Sequence, residues 1–335
     1  MPWRSPGHVA LPLFQGVIMS HRLSAVVAYI VAMGAVCVAL TWGQPRQVVG
    51  LFFVSGLAVG SLYALGGICL VVLYRSSGVL NFASGAVGGF GVMLAWQLGQ
   101  WGWPQPLTWL AAIAAATALS FTYGRVIAPG LAWRDPVVKA VATLGFALVV
   151  LGATSFLWRD EVRKFSLPSD NAAIVLIGLR VTVTRIIVIL SAIGIVVGVW
   201  AYLATTRIGL QMRALANSRD LSALIGIPIL KVETIAWIVT GAIAGFTGLM
   251  FGDLVRLEPA VLTFMVIPSI AAAICGRLEN LGLVLIGGLS IGVIESLLTL
   301  QPQLKSVRSI APFVLAALVL IWMQRGRRLT FAGDV

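Results

Sequence analysis

Apolar runs of about twenty residues recur along almost the whole chain and leave few folds open to it. Segments at 23–42, 48–74, 79–98, 107–128, 138–157, 185–204, 232–252, 262–275, 282–300 and 310–324 are dominated by aliphatic, aromatic and glycine residues. A helix needs roughly 20 such residues to cross about 30 Å of hydrocarbon. Only 10% of the 335 residues are charged, and mean hydropathy is +1.01. A soluble domain carries about 25% charged residues, so too little polar surface remains for a water-soluble fold. In hydrocarbon each backbone N–H and C=O must be satisfied within the chain, and the short alternating runs of a membrane barrel are absent. The reading is an all-α integral membrane protein of about ten transmembrane helices.

Net charge is +12. In a membrane chain such an excess points to basic loops facing anionic lipid on the cytoplasmic side, and not to nucleic acid. With the N-terminus inside, the inner loops hold Arg4, Arg22, Arg75, Arg125, Arg134, Lys139, Arg207, Arg213, Arg219, Lys231, Arg277, Arg325, Arg327 and Arg328. These are 14 of the 23 basic residues, and five of the others lie in the long loop 158–185, which weighs little in this rule. Both termini are therefore expected in the cytoplasm. Residues 1–22 form a cytoplasmic N-terminal segment, 23–325 a single transmembrane domain with a cytoplasmic loop at 205–231, and 326–335 a cytoplasmic tail. Met1 and Met19 each open a basic-then-apolar start, and without a small-residue cleavage site the first segment is read as an uncleaved helix.

Two segments are unusual. Segment 79–98 carries Gly85, Gly88, Gly89 and Gly91, and segment 262–275 is short with Pro268 in its middle. In two halves of five segments these are the third member of each half, and an odd number per half makes the halves inverted. Interrupted helices at matching positions of inverted halves point to a substrate route, although tilted or re-entrant packing helices fit equally well. Glycine pairs at four-residue spacing, Gly56/Gly60, Gly194/Gly198, Gly241/Gly245 and Gly288/Gly292, let helices approach closely.

Catalytic signatures are missing. There is no phosphate-binding G-x-x-x-x-G-K-[ST] and no H-E-x-x-H, and the G-x-S-x-G at Gly288–Gly292 lies inside an apolar run instead of at a strand-to-helix turn. His8 and His21 precede the first span, and Cys37, Cys69 and Cys275 have neither metal spacing nor an evident disulfide pairing. No cofactor is expected. Glu295, in "GGLSIGVIESLL", is the deepest acid. It is either a functional group facing protein or water or a packing acid bonded to a neighbouring helix. Asp253, Arg256 and Glu258 read as an outer docking rim or a solvated loop, and Arg277 with Glu279 as a loop ion pair.

The polar stretch Thr205–Lys231 is far longer than the two to eight residues that a helix connection needs. Ser218 suits a helix N-cap, Gly226 a stop, and Pro228 prevents continuation. This predicts a short helix near 219–225 after an earlier turn or two. Leu221, Leu224 and Ile225 are expected to pack against the membrane domain, with Arg213, Asn217 and Asp220 sharing a polar face. Such an element either docks a cytosolic protein or lies on the headgroups.

Three blocks now carry a resemblance. "GLAVGSLYALGGICLVVLYRSSGVLNFASGAVGGFG", Gly56 to Gly91, resembles the G-S-x-Y-A-L and N-F-A-x-G pattern of ABC-importer permeases for branched-chain, hydrophobic amino acids, the Liv type. "RIGLQMRALANSRDLSALIGI" resembles their R-x-G-x-x-x-R-A-x-x-x-N-x-x-x-A-x-L-x-G-I loop. "GRLENLGLVLIGGLSIGVIESL" with the basic "MQRGRRL" completes the set. The G-S-x-Y-A-L form resembles the first of the two paralogous permeases.

The resemblance implies a non-catalytic permease in the bacterial inner membrane. Its implied partners are two cytosolic ABC ATPase subunits, a second paralogous permease or a copy of itself, and an extracytoplasmic solute-binding protein. It places ATPase coupling on Arg207, Arg213, Ala214, Asn217, Asp220, Ala223, Leu224, Gly226 and Ile227, in the loop between the sixth and seventh spans. The translocation path is expected along Asn81, Phe82, Ser84, Gly85, Pro268 and Glu295. Two departures stand out: the family's N-F-A-H-G-E is here Asn81-Phe82-Ala83-Ser84-Gly85-Ala86, and its G-G-x-G-S turn is Gly276-Arg277-Leu278-Glu279-Asn280. A permease for urea or short amides, and a stand-alone secondary transporter or channel, remain alternatives.

Overall fold

The computed structural model describes residues 33–159, 161–176, 178–255, 257–301, 303 and 310–324. Segment 1–22, the alternative starts, the first half of span 23–42, Arg256 and tail 326–335 lie outside the described residues. Two compact units are delimited, Met1–Gln44 and Pro45–Val335. In the first, a helix covers 33–41, and the Thr41 hydroxyl bonds back to the Cys37 carbonyl at 2.9 Å.

The second unit is predominantly helical. Its order is α1 Arg46–Ser77, α2 Ser84–Gln100, α3 Gln105–Leu131 and α4 Pro136–Trp158, then a hairpin of β1 Ala173–Leu176 and β2 Leu179–Thr182. Next come α5 Val183–Thr205, α6 Arg207–Asn217, α7 Arg219–Leu224, α8 Ile229–Leu254, α9 Pro259–Phe264, α10 Val266–Cys275, α11 Leu281–Leu298 and α12 Ala311–Gln324. Six of these, α1, α3, α4, α5, α8 and α11, are long and apolar enough to span a bilayer. The antiparallel hairpin, with Ala173 opposite Thr182, lies in the long loop and departs from the all-helical expectation. Its β-branched residues suit a short ladder, and Gly178 at φ 78° helps the chain reverse.

The first unusual segment breaks before its glycines and the second just ahead of Pro268. The glycines of 79–98 do not interrupt a helix: α2 runs unbroken from Ser84, and the break precedes it. Gly78 closes α1 in the left-handed conformation at φ 69°, its N–H bonded to the Tyr74 carbonyl, and Asn81 Oδ1 accepts from Ala83 N at 2.9 Å. In the second segment the chain breaks at Met265, between α9 and α10. Pro268 lacks the N–H that would bond the Phe264 carbonyl, and its ring crowds that turn, so a continuous helix is disfavoured there.

The interior is built where helix backbones nearly touch. A Cβ on Gly60 would lie 2.6 Å from the Gly288 carbonyl oxygen, and one on Gly292 would collide with the Gly56 carbonyl, so α1 and α11 interlock through both glycine pairs. Gly241 and Gly245 of α8 seat in the same way against Thr117 and Ile113 of α3. Lipid gives helices no hydrophobic drive toward one another, so close van der Waals approach carries the association. The outer faces of α4 and α5 are apolar and open, with Phe156 86% and Trp200 61% exposed.

The long loop 158–185 is tied down. Arg163 N donates to the Leu257 carbonyl at 3.1 Å, and its guanidinium bonds the Trp158 carbonyl and lies 4.6 Å above the Trp96 ring. Asp253 accepts from Leu167 N at 2.8 Å. This acid therefore holds the loop, a role that neither a docking rim nor a solvated connector describes.

Candidate coupling segment and internal cavities

Residues 205–231 fold into an elbow of two helices. Thr206 caps α6, its hydroxyl accepting from Gly209 N at 3.1 Å, and Ser218 caps α7, accepting from Leu221 N at 3.3 Å. Ser218 is extended, φ −156° and ψ 115°, so the helix breaks there. Ile208, Met212 and Leu215 recur at helical spacing and turn inward, Met212 being only 2% exposed. Gly226, at φ 81°, ends the elbow.

Two expectations are corrected. Arg213, Asn217 and Asp220 are all exposed, but the break at Ser218 puts the first two on α6 and the third on α7, so they share no helical face. Leu221, Leu224 and Ile225 do not pack on the membrane domain: they are 62%, 82% and 74% exposed. Ser222 is the buried residue of α7, its hydroxyl bonded to the Ser218 carbonyl at 2.7 Å, and Ile227 supplies the inward apolar contact. Arg207, Ala223 and Gly226 are exposed and Ala214 half-buried.

The elbow is anchored by a residue pair that the sequence did not single out. Arg219 Nη1 lies 2.6 Å from Glu233 Oε1, with the glutamate side chain 4% exposed. The guanidinium stands 5.3 Å from the Trp133 ring centroid. Glu233 begins the "ETIAW" entry into α8, and an acid entering an apolar run was the available signal.

Three cavities follow one another along α8. The first is lined by Gly66, Ser84, Gly85, Gly88, Ala244, Thr247, Phe251 and Ser269 among others. The second shares Ser84 and Ala244 with it and adds Asn81, Phe146, Trp237 and Thr240. The third shares Trp237 with the second and reaches Ser77, Tyr123, Lys139 and Glu233. Residues 233, 237, 240, 244, 247, 248 and 251 form one stripe at helical spacing. Across the first cavity α8 meets α2, where a Cβ on Gly88 would lie 2.5 Å from the Ala244 carbonyl oxygen.

Of the expected path residues, Asn81, Ser84 and Gly85 line these cavities, and Pro268 lies beside the lining residue Ser269. Phe82 does not line them; its N–H donates to Thr143 Oγ1 at 3.2 Å. Glu295 lies elsewhere, in the α1–α11 seam, where the Tyr63 hydroxyl donates to Oε2 at 2.8 Å. The Gly276–Asn280 turn keeps a glycine-like shape at two non-glycine positions, Arg277 and Leu278 both having φ 56°. Arg277 and Glu279 do not form the expected pair; among the described residues the ion pairs are Arg163–Glu161 and Arg219–Glu233. No group of three His, Cys, Asp or Glu among the described residues could hold a metal.

Residues 52–323 match the family described as "Branched-chain amino acid transport system / permease component". The probable branched-chain amino acid transport permease LivH of Methanocaldococcus jannaschii is 28% identical over 268 residues, covering 77% of this chain and 82% of that protein. LivH of Salmonella typhimurium, a high-affinity branched-chain amino acid permease, is 25% identical over 290 residues, 79% of this chain and 92% of its own length. BraD of Pseudomonas aeruginosa, described likewise, is 25% identical over 264 residues, 72% and 84% of the two chains. Among solved structures, PsaBC from Streptococcus pneumoniae in complex with Fab covers 83% of this chain and 92% of its own, at 14% identity and a TM-score of 0.43.

Proposed function

The chain belongs to the family of branched-chain amino acid transport permease components, and from that premise we propose that it is the multi-pass inner-membrane permease of an ATP-driven importer for branched-chain or other hydrophobic amino acids. Its partners are two cytosolic ATPase subunits, a second permease or a copy of itself, and an extracytoplasmic solute-binding protein. Residues 23–325 form the transmembrane domain, arranged as two inverted halves of five segments, with 1–22 and 326–335 in the cytoplasm. The bias of basic residues supports this orientation, and it puts the α6–α7 elbow on the ATPase side.

One observation carries the reading: the elbow is anchored inward by Arg219 and Ile227 while it presents Leu221, Leu224 and Ile225 outward. Exposed apolar residues on an elbow that also exposes Arg213 and Asp220 are what a protein groove accepts, apolar contacts with charged ones around them. A helix lying on headgroups would bury the leucines in acyl chains, and the pull-down below separates the two. The cavities lined by Asn81, Ser84 and Gly85 are the segment of the substrate route held by this subunit, closed here by the approach of α2 to α8.

The test is purification of the tagged chain from native membrane, with uptake of labelled leucine, isoleucine and valine by the reconstituted complex. ATPase subunits should co-purify, and Leu221→Asp/Leu224→Asp should release them while the permease stays inserted. Uptake of urea or acetamide in place of the three amino acids would reassign the substrate. Recovery of the wild-type chain without any ATPase would overturn the reading.

A further inference from the structure

We propose that the Arg219–Glu233 pair, with Trp133 and Lys139 around it, positions the elbow on α8 and passes the elbow's movement into that helix. The proposal rests on the reading of 205–231 as the coupling segment. Arg219 occupies the first turn of α7, where a cation opposes the helix dipole, so its place there is not explained by helix stability. Its partner is on another element: Glu233 lies one turn into α8 and is 3% exposed. The other ion pair among the described residues, Arg163–Glu161, has its glutamate 68% exposed and joins residues of one loop.

Glu233 is buried and Arg219 half-buried, yet the pair is incompletely bonded. Arg219 Nε and Nη2 are buried without a hydrogen-bond partner, and the guanidinium rests instead near the Trp133 ring. A buried ion pair is poor evidence of stability, because desolvation offsets the attraction, and its best-attested use is to fix one arrangement over another. An alternative partner is at hand. Lys139 of α4 is 8% exposed, lines the same cavity as Glu233, and bonds the Ser77 carbonyl at the end of α1 at 3.4 Å. One carboxylate thus has a cation bonded to it, Arg219, and a second, Lys139, lining the same cavity on a different element. If the elbow is drawn away, Glu233 can exchange Arg219 for Lys139 without being left unpaired, which makes a two-position element of the kind that coupling requires.

The lever is α8. Its cavity-lining stripe begins at Glu233 itself, continues at Trp237 four residues on, and ends at Phe251, just past the contact of Gly248 with Gly88 of α2. Displacement at Glu233 therefore reaches the contact that closes the first cavity.

The test uses the complete complex of permease, ATPases and binding protein in liposomes, reading leucine uptake per ATP hydrolysed together with ATPase co-purification. Glu233→Gln and Arg219→Met should each retain the ATPases and lower uptake per ATP about tenfold, within the usual range of coupling energies. The double variant should fall no further than either single, since both remove one interaction, and Arg219→Lys should recover part of the loss. Normal coupling in both singles, or additive losses in the double, would overturn the proposal. If the singles fail to insert, the double carries the test, because it leaves neither member of the pair charged alone. A double that couples normally, or that does not assemble, assigns the pair to folding and also overturns it. A wild-type chain that binds no ATPase defeats the coupling-segment reading itself, whereas wild type and variants coupling alike defeats only this inference.

Discussion

Gly288 and Gly292 in α11 share their four-residue spacing with Gly194 and Gly198 in α5, and the two pairs have opposite surroundings. Every side of the first pair is occupied: a Cβ on Gly288 would lie 2.6 Å from the Ala64 nitrogen, and one on Gly292 would strike the Gly56 carbonyl. A Cβ on either glycine of the second pair would meet nothing within 4 Å among the described residues. The helices differ in the same sense, since 61% of the α11 spanning window is buried within this chain but only 22% of that of α5. Spacing alone shows where two helices could approach. Which pair is used depends on whether a second small-residue stripe faces it, as Gly56 and Gly60 do for α11. Among the described residues the α5 pair has no such counterpart, and it fits an apolar face turned to lipid or to another subunit.

Substitutions at the two pairs separate them. The largest effect is expected at Gly292→Leu. The colliding atoms are backbone, which cannot rotate aside, so α1 and α11 must separate at a cost of about 3 kcal/mol or more. Loss of the folded species in detergent size-exclusion and thermal unfolding would show it, and an unchanged midpoint would mean that the seam is looser than drawn here. A smaller effect is expected at Tyr63→Phe, which removes the hydroxyl bond to Glu295 across the same seam. Interhelical hydrogen bonds in membranes contribute about 0.6 kcal/mol on average, so a modest fall in midpoint with insertion intact is the outcome. A loss as large as that of Gly292→Leu would move the seam's main support from packing to polarity.

Turn glycines extend the comparison. Gly226 needs its left-handed φ, while nothing crowds its Cβ position. Gly226→Val should therefore strain the backbone by about 1–2 kcal/mol and disturb the elbow more than the fold. The prediction is reduced ATPase pull-down at nearly normal yield, and normal pull-down with normal uptake would separate the turn from coupling. The smallest effect belongs to Gly194→Ala, expected to stay within about 0.5 kcal/mol of the parent as a surface change does. A large drop there, with the isolated chain still stable, would reveal a protein neighbour covering α5.

How much could be read in advance follows the physics of each signal. The elbow was legible in detail: Ser218 as cap, Gly226 as stop and a helix between them follow from local hydrogen bonding and φ preference, which act over a few residues. The direction of Leu221, Leu224 and Ile225 was misjudged. Apolar residues beside a membrane domain suggest inward packing, but Ser222 and Ile227 already supply the elbow's inward contacts. The glycine run of 79–98 was read as a broken helix because each glycine weakens a helix in isolation. In the bundle the neighbouring backbones of α8, α9 and α3 fill the space above Gly88, Gly85 and Gly91 and hold α2 straight.

What the sequence determined by itself is what local chemistry can enforce. Length and apolarity prescribe helices of spanning size, because hydrocarbon leaves the backbone no other partner. Caps and turn residues mark where the chain must bend, and the ordered motifs of the first block and the polar insert place it among transport permeases. Only the tertiary structure decided which of four equal glycine pairs became helix contacts, that Glu295 answers Tyr63 away from the cavities along α8, and that Arg219 finds Glu233 fourteen residues on. These outcomes depend on residues from separate elements meeting at distances of a few ångströms. Close packing and buried charge pairing act only at such range, so no stretch of sequence carries them alone.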